Sequence, residues 1–119
     1  MKREAVVKAF QTLGDPQRLA MVEQLVKAPR SVQELADNLP ISRPAVSRHL
    51  RLLKENRLVI DEASGTRRIY RLRPEGIEAL RGYLERLWDG AQRDYLERLW
   101  DDARRRFVIA AENTRGKAS

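Results

Sequence analysis

The chain has 119 residues, enough for one compact domain. It has no cysteine, which excludes disulfides and thiolate metal sites, and no apolar run of leader or membrane-spanning length, so a cytoplasmic setting is expected. Its 24 Lys and Arg against 17 Asp and Glu give +7, and the excess is uneven: 15 basic and 8 acidic residues up to Pro74, 9 and 9 from Glu75 onward. A solvated surface of mixed charge does not need that asymmetry, whereas a surface facing a phosphate backbone does.

Ala5, Val6, Ala9, Phe10 and Leu13 recur at helical spacing and predict a first helix from Arg3 to Leu13, closed by Gly14. Asp15-Pro16 opens a second helix, with Asp as the cap and Pro where a missing N–H costs nothing. Leu19, Val22, Leu25 and Val26 form its stripe, and Ala28-Pro29 ends it. Ser31 and Glu34 have capping-box spacing at the start of a third helix, which stops at Asn38-Leu39-Pro40. Ser42 caps a fourth, with Val46, Leu50 and Leu53 pointing inward. Two short strands then follow, around Leu58–Ile60 and Ile69–Leu72, joined through Ser64-Gly65-Thr66.

Pro74-Glu75 begins the last helical stretch, read as 75–111, with 113–119 as a flexible tail. Tyr83-Leu84-Glu85-Arg86-Leu87-Trp88 recurs as Tyr95-Leu96-Glu97-Arg98-Leu99-Trp100, an offset of 12 residues. At 100° per residue the second copy is turned by about 120°, so the two cannot share one narrow helix face. Either Gly90 breaks the stretch, or one long helix offers two apolar patches. The stripe Leu80, Leu84, Leu87, Trp88, Ala91, Tyr95 crosses Gly90 and favours the long helix.

The expected fold is mainly α with a small two-stranded β wing: a single winged helix-turn-helix domain over 1–112, with the helix-turn-helix at 31–55 and the wing at 58–72. With the apolar side of the fourth helix inward, its outer face and N-terminal turn carry Ser42, Arg43, Pro44, Ser47, Arg48, His49 and Arg51. Arginine matches the paired acceptors of a guanine edge, and serine bonds bases or phosphates. At the wing tip Thr66, Arg67 and Arg68 suit phosphate or minor-groove contacts that give affinity more than sequence choice. A wet basic helix face and a charge-blunted edge strand are the plainer readings of the same residues. They lose weight because matched caps precede the helix and an Arg-bearing hairpin follows it.

His49 is the sole histidine, and a lone His beside a buried Leu is more often a packing residue than a ligand. No nucleophile–base set or phosphate loop stands out, so no enzyme, metal or cofactor is expected. Asp101 and Asp102 lie among Arg104, Arg105 and Arg106 and read as solvated ion pairs. Trp88 and Trp100 read as core or interface aromatics rather than a ligand cage.

The run Phe10-Gln11-Thr12-Leu13-Gly14-Asp15-Pro16-Gln17-Arg18-Leu19 resembles the opening of the arsenic-repressor (ArsR) family of winged-helix regulators. Ser47-Arg48-His49-Leu50 with Leu53 and Leu58-Val59 is similar to its recognition helix and exit, and Gly65 to Leu72 to its wing. The resemblance implies a homodimeric, sequence-specific double-stranded-DNA-binding regulator, a repressor on a palindromic operator. It also implies dimerisation through the first and last helices, here Val6, Phe10, Leu84, Leu87, Trp88, Tyr95 and Leu99. Members that sense metals carry Cys pairs on the third helix or His and acids on the last. This chain has no Cys, and its last helix has no His, so it is placed with the non-metal branch, its small-molecule or protein effector left open. The alternatives are a winged-helix protein-interaction module working through the Trp-bearing helix, or a MarR-like regulator.

Overall fold

The structure is a computed structural model that describes the backbone of residues 1–118 and, outside 90–92 and 114–118, their side chains. The elements run α1 (Arg3–Leu13), α2 (Pro16–Lys27), β1 (Arg30–Ser31), α3 (Val32–Asn38), α4 (Arg43–Glu55), β2 (Val59–Ser64), β3 (Arg67–Leu72), α5 (Pro74–Trp88) and α6 (Gly90–Ala118). Two compact units result, Met1–Tyr83 and Leu84–Ser119.

The caps fix the helix starts. Asp15 accepts from the Gln17 and Arg18 backbone N–H groups, at 2.9 and 3.1 Å, directly before Pro16. In the capping box of α3 Ser31 Oγ accepts from the Glu34 N–H while Glu34 Oε1 accepts from the Ser31 N–H, each at 3.2 Å. Ser42 Oγ accepts from the Ala45 N–H and starts α4.

The sheet is three-stranded, in the order β1-β3-β2, and antiparallel throughout. The expected two-stranded wing is the β2–β3 hairpin, and β1 adds a third strand to it: Arg30 pairs with Tyr70 and Ser31 with Ile69. Two residues are too few to show an alternation, and they form a strand only because β3 offers a free edge. Ser64 pairs with Arg67 across Gly65 and Thr66, and Gly65 takes φ 64°, open to glycine at little cost.

Helices α1 to α5 and the strand β2 enclose one core. Met21, Leu35, Val46, Leu50, Leu53, Leu58 and Val59 are fully buried within it, and Leu80 brings α5 onto it. At the exit of α4, Arg57 takes φ 60° and the Leu58 N–H bonds to the Leu53 carbonyl at 2.9 Å, satisfying the helix end. Gly76, in the first turn of α5, packs directly on that bend. A β-carbon there would stand 1.8 Å from the Arg57 carbonyl oxygen.

In the second unit, the stretch expected to be one long helix is interrupted at Asp89, between α5 and α6. The Asp89 N–H still bonds to the Glu85 carbonyl at 3.1 Å, so only a single residue leaves helical geometry. Helix α6 continues to Ala118 through positions expected as a tail, of which residue 119 lies outside the described residues. Asp101 pairs with Arg104 and Asp102 with Arg105 one turn apart. Neither tryptophan is in a core: Trp88 and Trp100 are exposed, as are Leu84, Leu87, Tyr95 and Leu99. No helix among the described residues is long and apolar enough to cross a membrane.

Candidate nucleic-acid interface

The caps and core set which side of α4 faces out. With Val46, Leu50 and Leu53 buried, Ser42, Arg43, Pro44, Ser47, Arg48 and Arg51 are exposed at its N-terminal turn and along its outer face. Arg43, Arg48 and Arg51 have no ion-pair partner among the described residues. Three exposed guanidinium groups without a partner among the described residues therefore stand on one rod.

His49 departs from the expected set. It is half-buried and turned to α2: Arg18 Nη1 lies 3.3 Å from its Nδ1, and its Nε2 lies 2.8 Å from Gln17 Oε1. A guanidinium only donates, so Nδ1 is the acceptor and Nε2 carries the hydrogen given to Gln17. Arg18 Nε also donates to the Thr12 carbonyl at 2.7 Å. The histidine thus ties the outer helix to the α1–α2 corner, and its ring is not available to a base edge.

The wing differs from the helix in its electrostatics. Thr66 is exposed in the turn, but both arginines beside it are paired. Arg67 Nη2 donates to Glu34 Oε1, the oxygen that also caps α3. Arg68 Nε donates to Asp61 Oδ2 at 2.6 Å, while Lys54 Nζ, from the last turn of α4, holds Asp61 Oδ1 at 2.7 Å. The Asp61 side chain is only 5% exposed. Hydrogen bonds from Lys54 and then Arg68 hold its carboxyl below the usual carboxylate value, and Asp61 in turn raises Arg68. Glu34 is likewise held low, first by the Ser31 backbone N–H and then by the Ser31 hydroxyl.

Sequence reasoning missed Glu34 and Asp61 as partners. For Asp61 the signal was present: a turn at Gly65-Thr66 puts Asp61 opposite Tyr70, and Arg68 is then its diagonal neighbour on the same face. For Glu34 the capping spacing was read, but nothing local brings the wing to it. Between α3 and the wing lies an open cleft of about 540 Å³, its rim carrying Glu34, Asp37, Arg43, Thr66, Arg67 and Arg68. Among the described residues no group of three or more His, Asp or Glu side chains is placed to hold a metal.

Val6 does not serve a partner surface, because it is 1% exposed and fully engaged in the core of its own subunit. Phe10 is half-buried, its ring 5.9 Å from that of Tyr83 at 57°.

A capped helix, a tight connection, a second helix with an outward basic face and an adjoining antiparallel hairpin define a winged helix-turn-helix DNA-binding protein. The family described as "Bacterial regulatory protein, arsR family" matches residues 15–61. HTH-type transcriptional regulator Rv2034 of Mycobacterium tuberculosis is 54% identical over 84 residues, 71% of this chain and 78% of that protein. HTH-type transcriptional repressor SmtB of the same species is 41% identical over 69 residues, 58% of this chain and 51% of that protein. A solved structure described as "Possible transcriptional regulator for arsenical resistance" superposes with a TM-score of 0.65 at 34% identity, covering 80% of this chain and 95% of that one. The homodimeric winged helix-turn-helix domain Mb0332 of Mycobacterium bovis superposes at 0.61 with 25% identity, covering 71% and 78%. The chain belongs to the ArsR family of transcriptional regulators, which are not enzymes. That membership sets aside the MarR-like alternative.

Proposed function

We propose that the chain is a cytoplasmic repressor that binds a palindromic operator as a homodimer and reads it through α4. The observation that carries this is the set Arg43, Arg48 and Arg51 on the outward face, without ion-pair partners among the described residues and with Ser47 between them. Two such helices related by a two-fold axis would enter successive major grooves about 34–36 Å apart. Leu84, Leu87, Trp88, Tyr95 and Leu99 leave apolar area in water that a second copy would cover, as Phe10 does in part. Two relatives support the assignment: one is named a repressor and one is homodimeric. The wing arginines and Thr66 add affinity, and sequence choice stays with α4.

A fluorescence anisotropy titration of the protein against DNA from its own promoter region, with a random duplex as competitor, tests this. Arg48→Ala is expected to cost about 1–3 kcal/mol on the preferred duplex and to narrow its margin over random DNA. Arg67→Ala is expected to weaken all duplexes alike. Equal behaviour of the two variants removes the division of roles, and the lack of any preferred duplex removes the repressor reading.

A further inference from the structure

The cleft between α3 and the wing contains a contradiction, if DNA is the ligand. Arg67 is placed to meet a phosphate, yet its guanidinium already holds a carboxylate. The neighbouring Arg68 does the same with Asp61. Burial separates the two cases. Asp61 is 5% exposed and bound by two cations at once, so no phosphate can take its place without opening the hairpin. Glu34 is 41% exposed and its partner Arg67 57%, a pair both of whose members water and ions reach. Exposed pairs of this kind contribute little and exchange readily.

We infer that Glu34 is an anionic gate on the DNA-binding surface: it occupies the seat of a backbone phosphate on Arg67, and binding requires that phosphate to displace it. The inference rests on the DNA-binding reading above. Arg43, at the first turn of α4, lies on the rim of the same cleft and has no ion-pair partner among the described residues, so a phosphate in the cleft has an open cation beside the gated one. Asp37 on the same rim adds a second negative group that discourages loosely held anions. A phosphate that reaches Arg67 displaces Glu34 on any duplex, so breaking this pair is a cost of binding whatever the sequence. The gate thus lowers the affinity for DNA generally, random DNA included. Glu34 Oε1 also accepts from the Ser31 N–H, a bond within the first turn of α3 that does not depend on Arg67.

The test is a double-mutant cycle, read by anisotropy on a random-sequence duplex at several salt concentrations from about 50 to 200 mM. Glutamine serves at the third position of a capping box, so Glu34→Gln keeps the helix start and removes the charge. Glu34→Gln is expected to tighten binding by about 2- to 5-fold at the lowest salt, the fold-change an exposed ion pair supports, and the advantage is expected to shrink as salt screens the pair. In an Arg67→Gln background most of that gain is expected to vanish, since the gate has nothing to cover. A gain of the same size in both backgrounds overturns the gate, because simple loss of negative charge then explains it. Unchanged or weaker binding by Glu34→Gln overturns it as well. If the parent protein binds no duplex at all while the melting curves stay cooperative, the DNA reading itself falls, and the gate with it.

Discussion

Up to Tyr83 the chain buries most of its large apolar side chains, Leu19, Val26 and Leu52 being exposed exceptions, and beyond it the described ones stand largely in water. Leu35, Val46, Leu53 and Leu58 are wholly enclosed in the first region, while Trp100 is 68% and Phe107 75% exposed in the second. The charge divides at nearly the same place, with the whole +7 excess before Glu75 and a balance after it. On the proposed function the two regions serve different partners. The first is held by intramolecular burial and displays positive charge. The second, with 8 basic and 7 acidic residues, has little net charge to oppose the second copy proposed above, which would cover its apolar area.

The contrast is broken most directly at the core. Leu53→Ala is expected to cost about 2–5 kcal/mol, measured by denaturant unfolding at fixed protein concentration. Phe107→Ala in the same assay, at concentrations where the protein is monomeric, is expected to change stability by no more than about 0.5 kcal/mol. Its effect should appear in the association equilibrium measured by sedimentation. If Phe107→Ala unfolds the monomer as severely as Leu53→Ala, the second region is not waiting for a partner.

A smaller effect is expected where α5 leaves the core. Gly76→Ala places a β-carbon against the Arg57 carbonyl oxygen, backbone against backbone, so one of the two segments must move. The expected loss is about 1–3 kcal/mol by thermal unfolding, accompanied by weaker self-association, because α5 is carried away from its seat. A neutral Gly76→Ala would mean that α5 docks less tightly than the bend at Arg57 implies.

The smallest expected effect is on acid sensitivity, and it is confined to the first region. The Asp61 carboxyl is held below its ordinary value of 3.8 by Lys54 and Arg68. A carboxyl depressed in the folded state contributes stability that is fully present above the unfolded value and is lost as pH falls through the folded one. Melting temperatures of the parent and of Asp61→Asn should therefore differ most near neutrality and converge below about pH 4. A constant difference across that range would assign the role of Asp61 to packing instead of charge.

Much of the first region was legible in advance because its signals are local. Asp15-Pro16, Ser31 with Glu34, and Ser42 state where helices begin within four residues of chain, and the structure starts α2, α3 and α4 there. Val46, Leu50 and Leu53 lie on one side at helical spacing, which set the outward face of α4 before any contact was known. His49 was harder to assign. Its position on the helix lay near the exposed set, but its partners Gln17 and Arg18 are more than 30 residues away, and only the packing of α2 against α4 turned the ring inward. The α5–α6 junction failed for a different reason. An apolar stripe crosses Gly90 without a gap, and periodicity has no means of registering one non-helical residue at Asp89.

The sequence by itself determined the order of the first four helices and the hairpin, the caps, the inward side of α4 and the net basic character of the stretch before Glu75, since each depends on residues that are neighbours along the chain. Only the tertiary structure decided that β1 joins the sheet, that Val6 belongs to the core and that the wing arginines are held by Glu34 and Asp61. Those outcomes depend on distances between segments far apart in sequence, and the side chains that meet across them carry no mark of the encounter in their own stretch of chain.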